Sequence, residues 1–242
     1  MTFDEAWELG RWGFIGEDSA ERMNQFVDDR SVISKLTESE CKRCKDSARR
    51  KASEKGSYYG DFAMPNFTKG NKGELGVLKY LHTIRPFGHL ESHIQQIMQV
   101  KQFGDGGIDI SWGGRRIDVK CTGPEYGPLV ADSHRGRADV YILSHLKFDG
   151  FNREEKGRCW ADPDRVIIYG FIFAEEFYET YEEDGKDILK RAVYYDNPPT
   201  KYKVECWMLR PMSEIEDIII EGLRPSPNDS TQKEDHVTES TN

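Results

Sequence analysis

The chain lacks any uninterrupted run of the ~18–20 apolar residues that a membrane-spanning helix needs. Its opening stretch, MTFDEAWELGRWGF, carries acids where a secretory signal would carry a basic region and an apolar core. These two absences set the expectation of a soluble, cytoplasmic protein. Cysteine is scarce, five in 242 residues, and the odd number counts against a complete disulfide framework and suits a reducing compartment. An excess of basic charge is missing too: 34 Lys and Arg face 43 Asp and Glu, a formal net charge of −9. Taken as a bulk quantity, that balance speaks against a protein that grips polyanions by total charge. There is no internal repeat. No Gly-Lys-Ser/Thr follows Gly104, Gly106 and Gly107, so those glycines read as a turn and not as a phosphate-binding loop. Cys41 and Cys44 have the spacing of half a zinc site, but Cys159 and Cys206 stand alone and supply no second half.

What is present is the composition of a folded chain, 37% apolar with 22 glycines. Charge is unevenly placed. Residues 41–55 carry seven basic residues against Asp46 and Glu54, whereas residues 174–187 carry seven acids against Lys186, and 225–242 are polar, unpatterned and acidic. The last segment reads as a disordered acidic tail. The acidic stretch reads as part of an exposed helix over FAEEFYETYEEDGKDILKRA. Residues 1–70 read as a mainly helical N-terminal region closing in a glycine- and aromatic-rich loop, and 71–224 as a mixed α/β core. Within the core, Leu75, Leu78 and Leu81 mark a helix with one buried face. Ile94, Ile97 and Val100 suggest a strand near 93–100. GIDISW and RRIDVKC are strands joined by a two-residue turn at Gly113-Gly114. ADVYILSHL and RVIIYGFIFA are continuous apolar runs of the kind a sheet buries on both faces, and YKVECWMLRP is a further strand before the amphipathic SEIEDIIIEGL.

Chemistry concentrates in GDGGIDISWGGRRIDVKCTG. Because side chains alternate along a strand, Asp118 and Lys120 share a face and Val119 takes the other. The Gly113-Gly114 hairpin brings Asp109 close to them, so two carboxylates and an ammonium converge on an otherwise apolar sheet. Unpaired charge is costly there. Two close carboxylates suit a hard divalent cation such as Mg²⁺, and a neighbouring lysine can hold a water or stabilise charge developing on phosphorus. The bland alternative is an Asp–Lys surface ion pair on an edge strand, with Asp109 at a turn.

In this arrangement the segment resembles the PD-(D/E)xK nuclease superfamily, over roughly residues 71–148. Asp109 in GIDI resembles the acid opening the second strand, Asp118-Val119-Lys120 the trio on the third, and Glu74 in KGELGVLKYL the glutamate of the preceding helix. The proline that often precedes the first acid is replaced by Ile108, and GDGGID is similar to the Mrr-type restriction branch. Asp105 is the other residue that could supply the first acid; Asp109 is preferred because it lies in the strand. The resemblance implies a restriction-endonuclease-like α/β fold, a central mixed sheet flanked by helices. It implies Mg²⁺, with Mn²⁺ substituting, held by Asp109, Asp118 and the carbonyl of Val119 with help from Glu74, and Lys120 orienting the attacking hydroxide. It also implies nucleic acid as partner, DNA favoured, endonucleolytic cleavage, and pairing of two copies to cut both strands. Glu74 is equally explained by the helix dipole, which favours an acid in a first turn.

Lys42, Arg43, Arg49 and Arg50 in the basic run would track phosphates on a helix face, as equally they would a solvated face. His134, Arg135 and Arg137 follow the trio's strand, where cations meet the phosphates of a scissile strand. The alternatives to a nuclease are a non-catalytic nucleic-acid-binding module on the same fold and a structural or protein-interaction protein.

Overall fold

The computed structural model describes residues 17–59, 63–99, 108–132, 136–147, 164–183, 186–189, 192–194 and 201–217. It is a mixed α/β architecture. Strands β1 (Val32–Lys35), β2 (Ile110–Trp112), β3 (Arg115–Thr122), β5 (Val140–Lys147) and β6 (Arg165–Phe173) form one mixed sheet in the order β1-β6-β5-β3-β2. The two continuous apolar runs become β5 and β6, the inner strands, where both faces are covered and alternation has no use. β3 pairs in parallel with β5, placing Asp118 beside Tyr141 and Lys120 beside Leu143. β2 and β3 form the expected hairpin, with Ile110 opposite Ile117 and Trp112 opposite Arg115. Its turn needs positive φ at both central positions, which Gly113 (55°) and Gly114 (76°) supply.

Three helices cover one face: α2 (Glu38–Tyr59), α3 (Ala63–Ile84) and α4 (Leu90–Met98). Leu75, Val77, Leu78 and Leu81 of α3 meet Ile117 and Val119 of β3, Val140 and Ile142 of β5, and Ile94 and Ile97 of α4 in one core. α2 starts at a reciprocal cap in which Thr37 N–H donates to Glu40 Oε2 at 2.7 Å and Glu40 N–H donates to Thr37 Oγ1 at 3.2 Å. The same Glu40 pairs with Lys79 of α3, 2.7 Å away. Lys79 Nζ also donates to the Lys35 carbonyl of edge strand β1 at 2.8 Å. On the opposite face lies a small antiparallel sheet of β4 (Leu129–Asp132), β10 (Lys201–Val204) and β9 (Val193–Tyr194). It is joined there by α5 (Ala174–Phe177) and α1 (Glu17–Asp28), and Leu129, Ala131, Val204, Phe177 and Val27 pack against Tyr141, Leu143 and Ile172. Among the described residues no helix is long and apolar enough to cross a membrane.

Three expectations of local structure are corrected. The segment read as a strand near 93–100 is helix α4. Ile94, Ile97 and Met98 are buried at spacings of three and four, the helical period. The glycine- and aromatic-rich loop expected to close the N-terminal region is largely helical, because α2 runs to Tyr59 and α3 begins at Ala63, tolerating Pro65 in its first turn. The boundary set at 70/71 therefore falls inside a helix, and the N-terminal region contributes β1 to the central sheet. The helix expected over residues 173–192 ends at Phe177; β7 (Thr180–Glu183) and β8 (Lys186–Leu189) then pair antiparallel, with the hairpin signal Asp-Gly between them in the sequence. The tail at 225–242 lies outside the described residues.

What lets α3 sit so close to the sheet is glycine. A Cβ on Gly73 would lie 2.7 Å from Ser144 Oγ and 2.9 Å from Cys121 Cβ, and one on Gly76 would lie 2.6 Å from Val166 Cβ. Gly76→Ala is therefore expected to lower stability despite the ~1 kcal/mol that alanine gains over glycine in a helix, since overpacking costs about 1–3 kcal/mol. Urea unfolding would show a lower midpoint at unchanged slope, and adding Val166→Ala would show favourable coupling between the two sites. An alanine variant as stable as the parent would contradict the close packing.

Candidate functional site

Strand β3 carries opposite chemistry on its two faces. Ile117 and Val119 point into the helical layer, while Asp118 and Lys120 point toward the layer containing Tyr141 and β4. Asp118 is 5% exposed and its Oδ2 lies 2.7 Å from Lys120 Nζ, whose side chain is 35% exposed. The pair thus bridges interior and surface. Asp109 sits just before β2, where its N–H donates to the Ile117 carbonyl at 2.9 Å and its Oδ2 accepts the Val119 N–H at 2.7 Å. The side chain thereby takes the place of a ladder carbonyl and holds its carboxylate against the Asp118-Val119-Lys120 backbone. Burial pulls the Lys120 ammonium toward neutrality, but the charges of Asp118, Asp109 and Asp132, with the hydrogen bond to Asp118, outweigh it, and its pKa stands above the ordinary lysine value.

Asp132, Tyr141 and Tyr178 were not legible in the sequence as neighbours of the trio. Asp132 ends β4, and β4 is held over the site by β10, with Asp132 opposite Lys201. Tyr141 is beside Asp118 in the β3–β5 register, and its hydroxyl lies 3.1 Å from that of Tyr178, which donates to the Asp132 carbonyl at 2.9 Å. The one local signal was Tyr141 itself, a polar aromatic among the aliphatic residues Val140, Ile142 and Leu143.

The structure thus brings Asp109, Asp118, Val119 and Lys120 together. It places Glu74 on α3, the helix that covers the opposite face of β3. There its charge acts on thiols: burial first, and Glu74 in addition, push Cys121 up to about 11, and burial with smaller charge effects pushes Cys44 up to about 12. Cys41 and Cys44 are buried within the helical core.

Several cations of the basic run on α2 are paired, at the surface or against the end of α4. Arg43 forms a two-pronged pair with Glu91 at 2.8 and 3.0 Å, and Arg49 pairs with Asp46 at 3.0 Å. Arg50 reaches the Met98 carbonyl at 3.5 Å, while Lys51 donates to the Ile97 carbonyl at 3.1 Å and Ser47 to Met98 at 2.8 Å. These donors close the C-terminal end of α4, where the helix dipole favours positive charge. Arg43, Asp46, Arg50, Gln95, Met98 and Gln99 line an open groove of about 590 Å³ between the two helices. Lys42 and Arg137 are exposed. Arg135, His134, Asp105 and the glycines at 104–107 lie outside the described residues.

No family model matches the chain, and no curated protein or solved structure does so either. Among the described residues, no three carboxylate, imidazole or thiol groups form a cluster able to hold a metal ion. Two carboxylates with a backbone carbonyl are nonetheless hard oxygen donors of the kind Mg²⁺ takes, since it keeps several waters and needs one or two carboxylates. Asp109 and Asp118, held on one strand pair with Val119 between Asp118 and Lys120, fit that requirement in chemistry.

The Lys120 environment has a measurable consequence. A lysine whose folded pKa is raised contributes stability that is present in full below the unfolded value near ~10.4 and lost as pH rises through the folded value. Asp118→Asn should bring the Lys120 pKa down and remove that alkaline loss of stability. Titration of ¹³C-methylated lysines by NMR, beside denaturation between pH 8 and 11, reads both. An unchanged Lys120 titration would show that Asp118 does not control it.

Proposed function

We propose that the protein is a metal-dependent nuclease with a restriction-endonuclease-like core, hydrolysing phosphodiester bonds in nucleic acid, with DNA the favoured substrate. The observation that carries this reading is the convergence of Asp109, Asp118 and Lys120 at the start of β2 and the middle of β3, with Asp109 bonded to Val119 N–H and Lys120 paired to Asp118. The helix α3, the β2–β3 hairpin and the parallel partner β5 support the core assignment. The first strand expected of that core is α4, a departure from the pattern.

Asp109, Asp118 and the Val119 carbonyl would hold Mg²⁺, with Mn²⁺ able to substitute, and Glu74 would help from α3, directly or through water. Bound there, the cation supplies Lewis acidity and lowers the pKa of a bound water. Lys120, kept cationic by its carboxylate neighbours, would offer its Nζ protons to an oxygen on phosphorus and orient the incoming water for in-line attack. Asp118 sets the position of that ammonium. Two copies acting together would cut both strands of a duplex.

A second reading, a non-catalytic nucleic-acid-binding module on the same fold, draws support from the lack of a three-group cluster among the described residues. A panel of labelled duplex, nicked, flap, junction and single-stranded substrates with Mg²⁺, Mn²⁺ or EDTA separates the two. The nuclease reading expects metal-dependent cleavage that falls by about 10²-fold or more in Asp118→Ala and Lys120→Ala, with circular dichroism unchanged. A variant cutting as well as the parent would sink the assignment. Salt-sensitive binding without cleavage in either metal would establish the second reading.

A further inference from the structure

Strand β1 forms one margin of the central sheet, and its ladder fixes which of its backbone groups are engaged. It pairs antiparallel with β6, Val32 opposite Ile168 and Ser34 opposite Val166, and just past the strand Leu36 N–H donates to the Asp164 carbonyl at 2.7 Å. In an antiparallel ladder alternate residues bond to the neighbour. Val32, Ser34 and Leu36 therefore turn their amides toward β6, while Ile33 and Lys35 turn theirs outward. Lys79 agrees with that parity, since its Nζ donates to the outward Lys35 carbonyl at 2.8 Å. The Ile33 N–H, the Ile33 carbonyl and the Lys35 N–H have no hydrogen-bond partner among the described residues.

The surroundings of this open margin are apolar. Two large hydrophobic side chains stand exposed among the described residues, Ile33 at 61% and Phe87 at 45%. Ile33 is on the margin itself. Phe87 stacks on His93, whose Nδ1 is 3.1 Å from Nε2 of His82, and His82 lines an open groove of about 450 Å³ with Ile33, Tyr80, Thr83 and Leu90. An exposed apolar residue on an uncovered sheet edge is a template for a further strand.

Charge identifies that strand. β1 follows the exposed acids Asp28 and Asp29 and ends at Lys35, whose side chain is 70% exposed and meets Asp164 only at 3.7 Å. Arg30 between them is turned inward, donating to the Leu209 carbonyl at 2.7 Å. An acidic peptide would suit Lys35 and be repelled at the other end. A segment that begins acidic and ends basic is instead complementary to its own antiparallel copy. Pairing Ile33 with Ile33 of a second copy joins N–H to carbonyl twice, sets Lys35 opposite Ser31 of that copy, and brings its Asp29 within reach of a long side chain. The two Lys35 residues stay ~14 Å apart along the strands.

We propose that the β1 margin is a twofold interface between two copies of this chain, in which Ile33 pairs antiparallel with Ile33 and Lys35 of each copy faces Asp29 of the other. The two five-stranded sheets then become one, and because the axis of such a pairing stands perpendicular to the sheet, Asp118 and Lys120 of both copies lie on the same side of it. This gives the paired copies of the nuclease reading their contact surface, and it rests on that reading only for what the pair acts on.

Light scattering after size-exclusion chromatography of the full chain tests it. Between about 1 and 100 µM the parent should move from a mass of 27.9 kDa toward twice that value. Ile33→Lys sets two ammonium groups side by side and should raise the dissociation constant about tenfold or more, with circular dichroism unchanged because the replaced side chain is exposed. Asp29→Lys and Lys35→Asp should each raise it about fivefold, since each contact occurs twice in the pair, and the exchanged variant carrying both should return to within about twofold of the parent. A parent that stays at 27.9 kDa throughout would overturn the proposal, as would a dimer indifferent to Ile33→Lys. Charge variants that weaken the dimer singly without recovery in the exchanged variant would overturn the twofold register. No readout involves cleavage, so the interface stands or falls separately from the nuclease reading.

Discussion

A charged pair in a strand that is covered on both faces is the constraint to which the rest of the structure answers. Asp118 and Lys120 stand 2.7 Å apart, with Asp118 almost wholly enclosed. Removing two such charges from water costs several kcal/mol per ion unless each finds its counter-charge and further hydrogen bonds. β3 meets that cost by geometry. Ile117, Val119 and Cys121 are apolar and seat α3, Asp118 and Lys120 face a second layer, and Lys120 extends far enough toward water to be partly solvated. Asp109 completes the arrangement from the neighbouring strand by bonding to the main chain of Val119. A helix resting this close to the sheet is possible only because Gly73 and Gly76 present no side chain to it.

How much of this was legible in the sequence depended on how local the cause was. The β2–β3 hairpin is written in Gly113-Gly114 and in the alternation around it, so its register and the meeting of Asp109 with Asp118 follow from neighbouring residues alone. β5 and β6 are written in unbroken apolar runs. Helix α4 was misread because three apolar residues in a short window fit either period, and burial at Met98 broke the tie. The hairpin at 180–189 was hidden by its acids, whose count suggests an exposed helix while the Thr180-Tyr181 pair favours a strand.

Charge was legible as arithmetic and illegible as placement. The basic run on α2 looked like a phosphate-tracking face, yet Glu91 and the last carbonyls of α4, distant in sequence, take up much of it. The same holds for the site's far wall. Nothing near residue 118 announces Asp132 or Tyr178, because each arrives by long-range pairing, β4 through β10 and Tyr178 through its relay to Tyr141.

That long-range pairing sets an order in time. The trio and its hairpin are complete once the chain is made through β3, and β5 soon adds the parallel partner. β4 gains its own neighbour only when Lys201–Val204 has emerged and paired back to Leu129–Asp132. Contacts of such separation form late, since the loop must close before they contribute. A nascent chain therefore carries the charged trio before β4 is held in its sheet, and the layer over Asp118 and Lys120 is complete only once Lys201–Val204 has been made and paired.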